Sequence, residues 1–254
     1  MTIAITRAVS PNLARCELTH LAREPIDLTR AAAQHARYER CVAELGVQVV
    51  RLPSEPKLSD SVFIEDTAVV LDELAIITRP GAPSRRSETA SIAEALRPYR
   101  DLAFIVAPAT VDGGDVLTVG RQVYVGLSSR TSMSGVEQLR QILAPLGYRV
   151  TAVAVGGCLH LKSAVTQVAP GTLLINRDWV DGAVFPDVRL VDVDLTEPHA
   201  ANALRIGDTV LFPAAFERTQ DRLRELGITV LSVDVSELSK AEGGVTCCSL
   251  IVPR

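Results

Sequence analysis

The chain has 254 residues, 47% hydrophobic and 22% charged, enough apolar material for a sizeable core. A formal net charge of -4 with scattered basic residues argues against nucleic acid or an anionic membrane as partner. No apolar run approaches the roughly 20 residues of a membrane span. The N-terminus lacks a signal-peptide pattern, and five cysteines without a CxxC pair read as reduced thiols of a cytoplasmic protein.

In chain order, TIAITRA is a strand, a helix follows over about Leu28–Leu45, and VQVVRL is a second strand. Residues 66–80 (DTAVVLDELAIITRP) hold two apolar runs about the turn Asp72-Glu73. A polar loop leads to a helix from about Ser87 to Leu96, with Ser87, Thr89 and the nearby Glu88 as first-turn capping groups. The strand FIVAP follows at Phe104–Pro108. The next unit, from Asp115, has two β-rich runs about Gly120-Arg121 and a helix over about Ser134–Leu146. Val136, Leu139, Ile142 and Leu143 mark its apolar face, and YRVTAVAV closes the unit. Ala164–Val193 repeats the pattern about Pro170-Gly171, with the helix short or replaced by WVDGAVF before the strand VRLVDVDL. From Asn202, a hairpin through Gly207-Asp208 precedes a helix at about Glu217–Leu226 and the strand ITVLSVDV. CCSLIV ends the chain.

These segments form pseudo-fivefold ββαβ repeats, the fifth split between the two ends of the chain. A period of roughly 40–50 residues is characteristic of ring architectures. The repeats favour an α/β ring, closed by pairing the N- and C-terminal segments, over an open α/β sheet of irregular order, with a single domain over residues 1–254.

Four segments put unusual polar groups just before the first strand of a unit: SDSVFIED from Ser59, TVDGGD from Thr110, LHLK from Leu159 and GGVTCC from Gly243. Read singly, each has an ordinary structural explanation. Cys247 fits a small buried hydrophobe, His160 between two leucines a core histidine, and Asp112 before Gly113-Gly114 a turn. Glu65-Asp66 fits a solvated pair and Arg85-Arg86 a surface loop. In a ring, however, equivalent positions meet at one end of the axis. A cysteine, a histidine and a carboxylate brought together there form a thiol nucleophile, its proton partner and an orienting acid. The further carboxylates call for a cationic substrate, and the loop arginines for a carboxylate on the same molecule. Those two requirements describe an arginine-like compound.

At these residues the sequence resembles the dimethylarginine dimethylaminohydrolases of the guanidino-group-modifying superfamily. The matching segments are SDSVFIEDTAVV, ITRPGAPSRRSE, TVDGGDVL, VYVGLSSRT, HLKS and GGVTCCSL, in the family's order and spacing from about Leu18 onward. The resemblance implies the five-bladed β/α propeller. It also implies hydrolysis of asymmetric dimethylarginine and monomethylarginine to citrulline and an amine, without metal or organic cofactor. Carried over by motif, Cys247 is the nucleophile, His160 the general acid and base, and Asp112 the acid that positions His160 and the guanidinium. Asp66, with Glu65 beside it, holds guanidinium nitrogens, and Arg85 and Arg130 bind the α-carboxylate. Asp60, with the backbone of Leu18 and Ala241, receives the α-amino group. The expected partner is this small-molecule substrate, with a homodimer left open. Two alternatives remain. One is another guanidine enzyme, an arginine deiminase or amidinotransferase; arginine deiminases carry an additional helical domain for which no segment here has room. Ribosome anti-association factors share the ring but lack the Cys/His/acid set.

Overall fold

The computed structural model describes residues 2–253; Met1 and Arg254, the ends of the expected single domain, lie outside the described residues. In chain order the elements are β1 (Ile3–Arg7), α1 (Leu28–Glu44), β2 (Gln48–Leu52), β3 (Ala68–Val70), β4 (Leu74–Ile77), α2 (Thr89–Leu96) and β5 (Asp101–Phe104). Then come β6 (Val116–Val119), β7 (Gln122–Leu127), α3 (Met133–Leu143), β8 (Arg149–Ala154), α4 (Leu161–Ala164), β9 (Val165–Ala169), β10 (Thr172–Ile175) and β11 (Arg189–Asp192). The last are β12 (Leu204–Ile206), β13 (Thr209–Pro213), α5 (Glu217–Glu225), β14 (Thr229–Val233), α6 (Ser236–Ser239) and β15 (Leu250–Val252).

The strands form five separate three-stranded sheets. In the four uninterrupted units, the first two strands pair antiparallel through a tight turn. The third strand returns parallel to the second. A parallel return needs a crossover connection, and the helix or loop segment between the strands supplies it. The fifth blade draws on both ends of the chain: β15 pairs antiparallel with β1, and β1 pairs parallel with β2.

The sheets do not join into one closed sheet. The ring is closed by packing, because five apolar clusters each lie between two adjacent blades. Ile5 and Leu250 meet Ile77 and Leu96, Ile76 meets Val125 and Leu139, and Tyr124 meets Leu173 and Phe185. Leu174 meets Phe212 and Leu223. Leu211 and Val233 meet Ala4 and Tyr38, which returns to the first blade. The first strand of each unit faces the axis, where Val69, Leu117, Gln167, Leu204 and Leu250 line a channel of about 240 Å³.

Two local expectations need correction. The strand after α2 is Asp101–Phe104, three residues earlier than FIVAP, because β5 pairs with β4 from Asp101 onward. Phe104 and Val106 are consequently exposed, at 49% and 58%. The groups expected to cap α2 do not do so. A 3-10 turn at Pro83–Glu88 runs directly into the helix. Thr89 donates instead to the Arg86 carbonyl, and Glu88 binds Arg85. By contrast α1 has a side-chain cap: Asp27 accepts the Arg30 amide at 3.0 Å.

Candidate active site

The polar segments form short turns at one end of the axis, immediately before β3, β6, β9 and β15. Asp60, Asp66, Arg85, Arg130, His160, Ala241 and Cys247 all line one cavity there. It measures about 20 Å³, room for about one water. Residues 19–21 are held at this end by Glu242, whose carboxylate accepts the amides of Thr19, His20 and Leu21. Arg130 donates to Thr19 Oγ1 at 3.0 Å.

His160 Nε2 lies 3.0 Å from Asp112 Oδ2, and Nδ1 lies 3.7 Å from Asp66 Oδ1. Asp112 is fixed in turn. Its Oδ1 accepts the Gly81 amide at 2.8 Å, and its own amide donates to Thr131 Oγ1 at 3.0 Å. Asp66 Oδ1 accepts the Gly114 amide at 3.0 Å. Gly114 has to be glycine here, since a Cβ would stand 2.7 Å from both Asp66 Oδ1 and His160 Nδ1.

Burial works against the charged imidazole, but Asp66, Asp112 and Asp115 overcome it and raise the His160 pKa to about 9. Burial also opposes ionisation of Asp66, yet His160 and Arg85 hold its carboxyl below the usual range. Arg85 is shared, contacting Asp66 at 2.5 Å and Glu88 at 2.8 Å. Two carboxylates thus divide one guanidinium. Asp66 has the imidazolium as a second counterion; Glu88 does not, and burial pushes its carboxyl up to about 7.

Cys247 is half-buried. Its Sγ accepts the Gly244 amide at 3.3 Å, and its carbonyl accepts the Glu65 amide at 3.2 Å. Burial, then the carboxylates of Glu65 and Asp66, push the Cys247 thiol well above its ordinary value. Cys248 is fully buried in the apolar cluster beneath α1.

Three expected residues do not line the cavity. Asp112 is completely buried behind His160. Glu65 faces the axial channel, paired with Lys162 Nζ at 2.5 Å and Thr246 Oγ1 at 2.7 Å. Leu18 is half-buried against the α1 cluster, and its neighbour Glu17 lines the cavity instead.

Sequence reasoning missed Asn202, at the equivalent place before β12. Its side chain accepts the Thr246 amide at 3.2 Å and donates to Thr246 Oγ1 and the Lys162 carbonyl. The unit of β12–β14 thereby fixes the turn that carries Cys247. Position within the repeat was the available signal, since Asn202 opens its unit as the other site segments open theirs. One ligand atom each from Asp66, Asp112 and His160 lies within 4.8 Å of the others, and both imidazole nitrogens face these carboxylates. Among the described residues no helix is long and apolar enough to cross a membrane.

Fold and site together define a five-bladed β/α propeller with a thiol, an imidazole and carboxylates gathered at one end of its axis. The chain belongs to the dimethylarginine dimethylaminohydrolase family, whose eukaryotic model (N,N dimethylarginine dimethylhydrolase) matches residues 17–252. It is 41% identical to the N(G),N(G)-dimethylarginine dimethylaminohydrolase of Streptomyces coelicolor over 97% of this chain and 95% of that one. A cysteine-to-serine variant of the Pseudomonas aeruginosa family member, solved with citrulline, superposes with a TM-score of 0.93 at 34% identity, covering 98% of each chain. A histidine-to-glycine dimethylarginine dimethylaminohydrolase, solved as an adduct with S-methyl-L-thiocitrulline, gives 0.92 at 35% identity over 99% of this chain and all of that one.

Proposed function

We propose that the chain, as a single catalytic unit over residues 1–254, hydrolyses Nω-methylated arginines to citrulline plus dimethylamine or methylamine. The observation that carries this reading is the cavity in which Cys247, His160 and Asp66 meet Arg85 and Arg130. Such a site matches a molecule that is cationic at its reacting end and anionic at the other. Family membership and the citrulline held by the Pseudomonas aeruginosa variant support it.

In this mechanism Asp66 receives the guanidinium. Arg85 is already neutralised by Asp66 and Glu88, so Arg130 carries the larger share of the substrate carboxylate, and Asp60 and the Ala241 backbone take the amino group. Leu18 and Glu65 act from behind, through the loop and the channel-side network. The incoming cation lowers the Cys247 pKa, and the thiolate attacks the central guanidinium carbon. His160, protonated at neutral pH, gives its proton to the substituted nitrogen. The C–N bond breaks, the amine leaves, and a covalent thiouronium remains on Cys247. Neutral His160 then takes a proton from water, and the hydroxide adds to the same carbon. Expulsion of the thiolate releases citrulline. None of these steps requires a metal or organic cofactor.

The test is citrulline formation from arginine, monomethylarginine and both dimethyl isomers, with ammonia and alkylamine detected separately. Asymmetric dimethylarginine and monomethylarginine are expected to yield citrulline and amine. Cys247→Ser is expected to bind substrate without turning it over. Normal turnover by that variant would dismiss the nucleophile assignment, and ammonia from arginine as the main reaction would dismiss the substrate.

A further inference from the structure

One fully buried acid takes no part in the steps above. Asp115 ends the 3-10 turn Gly113–Asp115 before β6 and is closed off from solvent. Its Oδ1 accepts the Leu161 amide, the one that follows His160, at 2.9 Å. Oδ2 accepts two hydroxyls, Ser128 at 2.6 Å and Thr131 at 2.7 Å. Each hydroxyl oxygen is in turn an acceptor. Thr131 Oγ1 takes the Asp112 amide at 3.0 Å, and Ser128 Oγ takes the amides of Arg130 at 3.0 Å and Thr131 at 3.3 Å. A hydroxyl that accepts an amide still has its own proton to give, and an ionised carboxylate only accepts, so the bonds run in one consistent direction. Burial pushes the Asp115 carboxyl up to about 6, although His160 and these donors pull it down, and it is ionised at neutral pH. Gly126 of β7 leaves it room: a Cβ there would stand 2.7 Å from Asp115 Oδ1.

Resting on the activity proposed above, we propose that Asp115 is a positioning residue: it sets the proton-transfer pair, His160 and Asp112, in register with Arg130, the anchor of the substrate carboxylate. The three residues come from separate segments, ahead of β9, ahead of β6 and after β7. Asp115 reaches His160 through the adjoining Leu161 amide, Asp112 through Thr131, and Arg130 through Ser128. His160 and Arg130 line the same cavity and act on opposite ends of one molecule. Their separation therefore fixes whether the carbon under attack lies within reach of Cys247. A displacement of about 1 Å between such groups can cost about a hundredfold in rate. Asp115 does not itself line the cavity; it works through the backbone of the residues that act there.

The two hydroxyls let the branches be cut one at a time. The experiment measures kcat and KM for asymmetric dimethylarginine, and the NMR titration of His160, in wild type, Ser128→Ala, Thr131→Val and Asp115→Asn. Losing one such hydrogen bond changes an equilibrium about three- to tenfold. Ser128→Ala should raise KM by that factor, with kcat within about twofold of wild type and His160 still titrating near 9. Thr131→Val should lower kcat by the same factor at nearly constant KM, and His160 should titrate lower because its partner Asp112 is less well held. Asp115→Asn keeps the shape of the side chain, but its NH2 group meets two hydroxyls that arrive as donors. It should show both effects together. The proposal is overturned if Asp115→Asn keeps wild-type kcat and KM. It is equally overturned if Ser128→Ala and Thr131→Val alter kcat, KM and the titration alike, as a merely structural loss would. If Asp115→Asn does not fold, the two hydroxyl variants decide. If wild type makes no citrulline, the activity reading fails by itself. The titration, which needs no substrate, then still decides the link: an unmoved His160 in both Thr131→Val and Asp115→Asn overturns it.

Discussion

Replacing Asp112 by Asn keeps the shape of the side chain and removes its charge, and the surroundings fix which way the new amide faces. Asp112 Oδ1 accepts the Gly81 amide at 2.8 Å, so the amide oxygen stays on that side. The NH2 group then faces His160 Nε2, now 3.0 Å from Asp112 Oδ2. A donor facing Nε2 favours the neutral ring. A charge-assisted hydrogen bond contributes about 1.5–3 kcal/mol, equivalent to about one to two pKa units. The His160 pKa, raised to about 9, should therefore fall to about 7–8 in Asp112→Asn. A folded-state pKa above the unfolded 6.5 means that His160 contributes stability fully present below pH 6.5 and lost as pH rises through about 9. The variant brings the upper end of that window down. The assay is an NMR titration of histidine-labelled protein, paired with the pH dependence of kcat/KM, whose alkaline limb should move with the imidazole. If the ring still titrates near 9 in the variant, Asp112 is not what holds its proton.

Three other outcomes can be measured directly. The Cys247 thiol, raised in the free protein by burial and by Glu65 and Asp66, should titrate lower when a cationic amidine analogue of arginine is bound; identical thiolate absorbance titrations with and without it would dismiss activation by the cation. Gly114→Ala forces a Cβ to within 2.7 Å of Asp66 Oδ1 and His160 Nδ1, so it should cost about 1–3 kcal/mol in denaturant unfolding and most of the turnover. Unchanged stability and rate would mean that the imidazole has room to move. Asn202→Ala leaves the Thr246 amide without its partner and the Lys162 carbonyl without its donor. It should lower kcat more than KM, because it loosens the turn bearing Cys247 and not the residues that hold the carboxylate; a change confined to KM would contradict that.

The ring was legible because each repeat announces itself locally. Apolar runs flank turn dipeptides such as Gly120-Arg121 and Gly207-Asp208, and β6–β7 and β12–β13 form about these two turns. The split blade followed from counting units, and β15 pairs with β1 accordingly. Boundaries were less legible where tertiary pairing overrides local pattern. FIVAP is the more apolar segment, yet the less apolar DLAF occupies the strand because register with Leu74–Ile77 selects it. Likewise, a sequence window around Ser87 cannot reveal that a 3-10 turn already supplies the start of α2.

The site was legible as a set of residues, but not as a set of charges. Equivalent positions in the repeats place Asp66, Asp112, His160 and Cys247 together, and the glycines beside Asp112 mark where backbone must approach closely. Nothing in the sequence shows which acids face which cations. Glu65 and Asp66 are adjacent in the chain, yet a one-residue difference in a tight turn sends Glu65 to Lys162 at the channel and Asp66 to His160 and Arg85 in the cavity. The same geometry makes the free site self-restraining. Asp66, which helps keep the proton on His160, also disfavours the Cys247 thiolate, together with burial and Glu65, so proton donor and nucleophile are not both ready in the empty cavity. In the proposed reaction a bound cation would resolve the conflict, because it would offset Asp66 and stand beside the sulfur at once. Selectivity for a charged substrate and activation of the thiol are then the same electrostatic event, and a neutral isostere of the substrate should fail at the chemical step even where it binds.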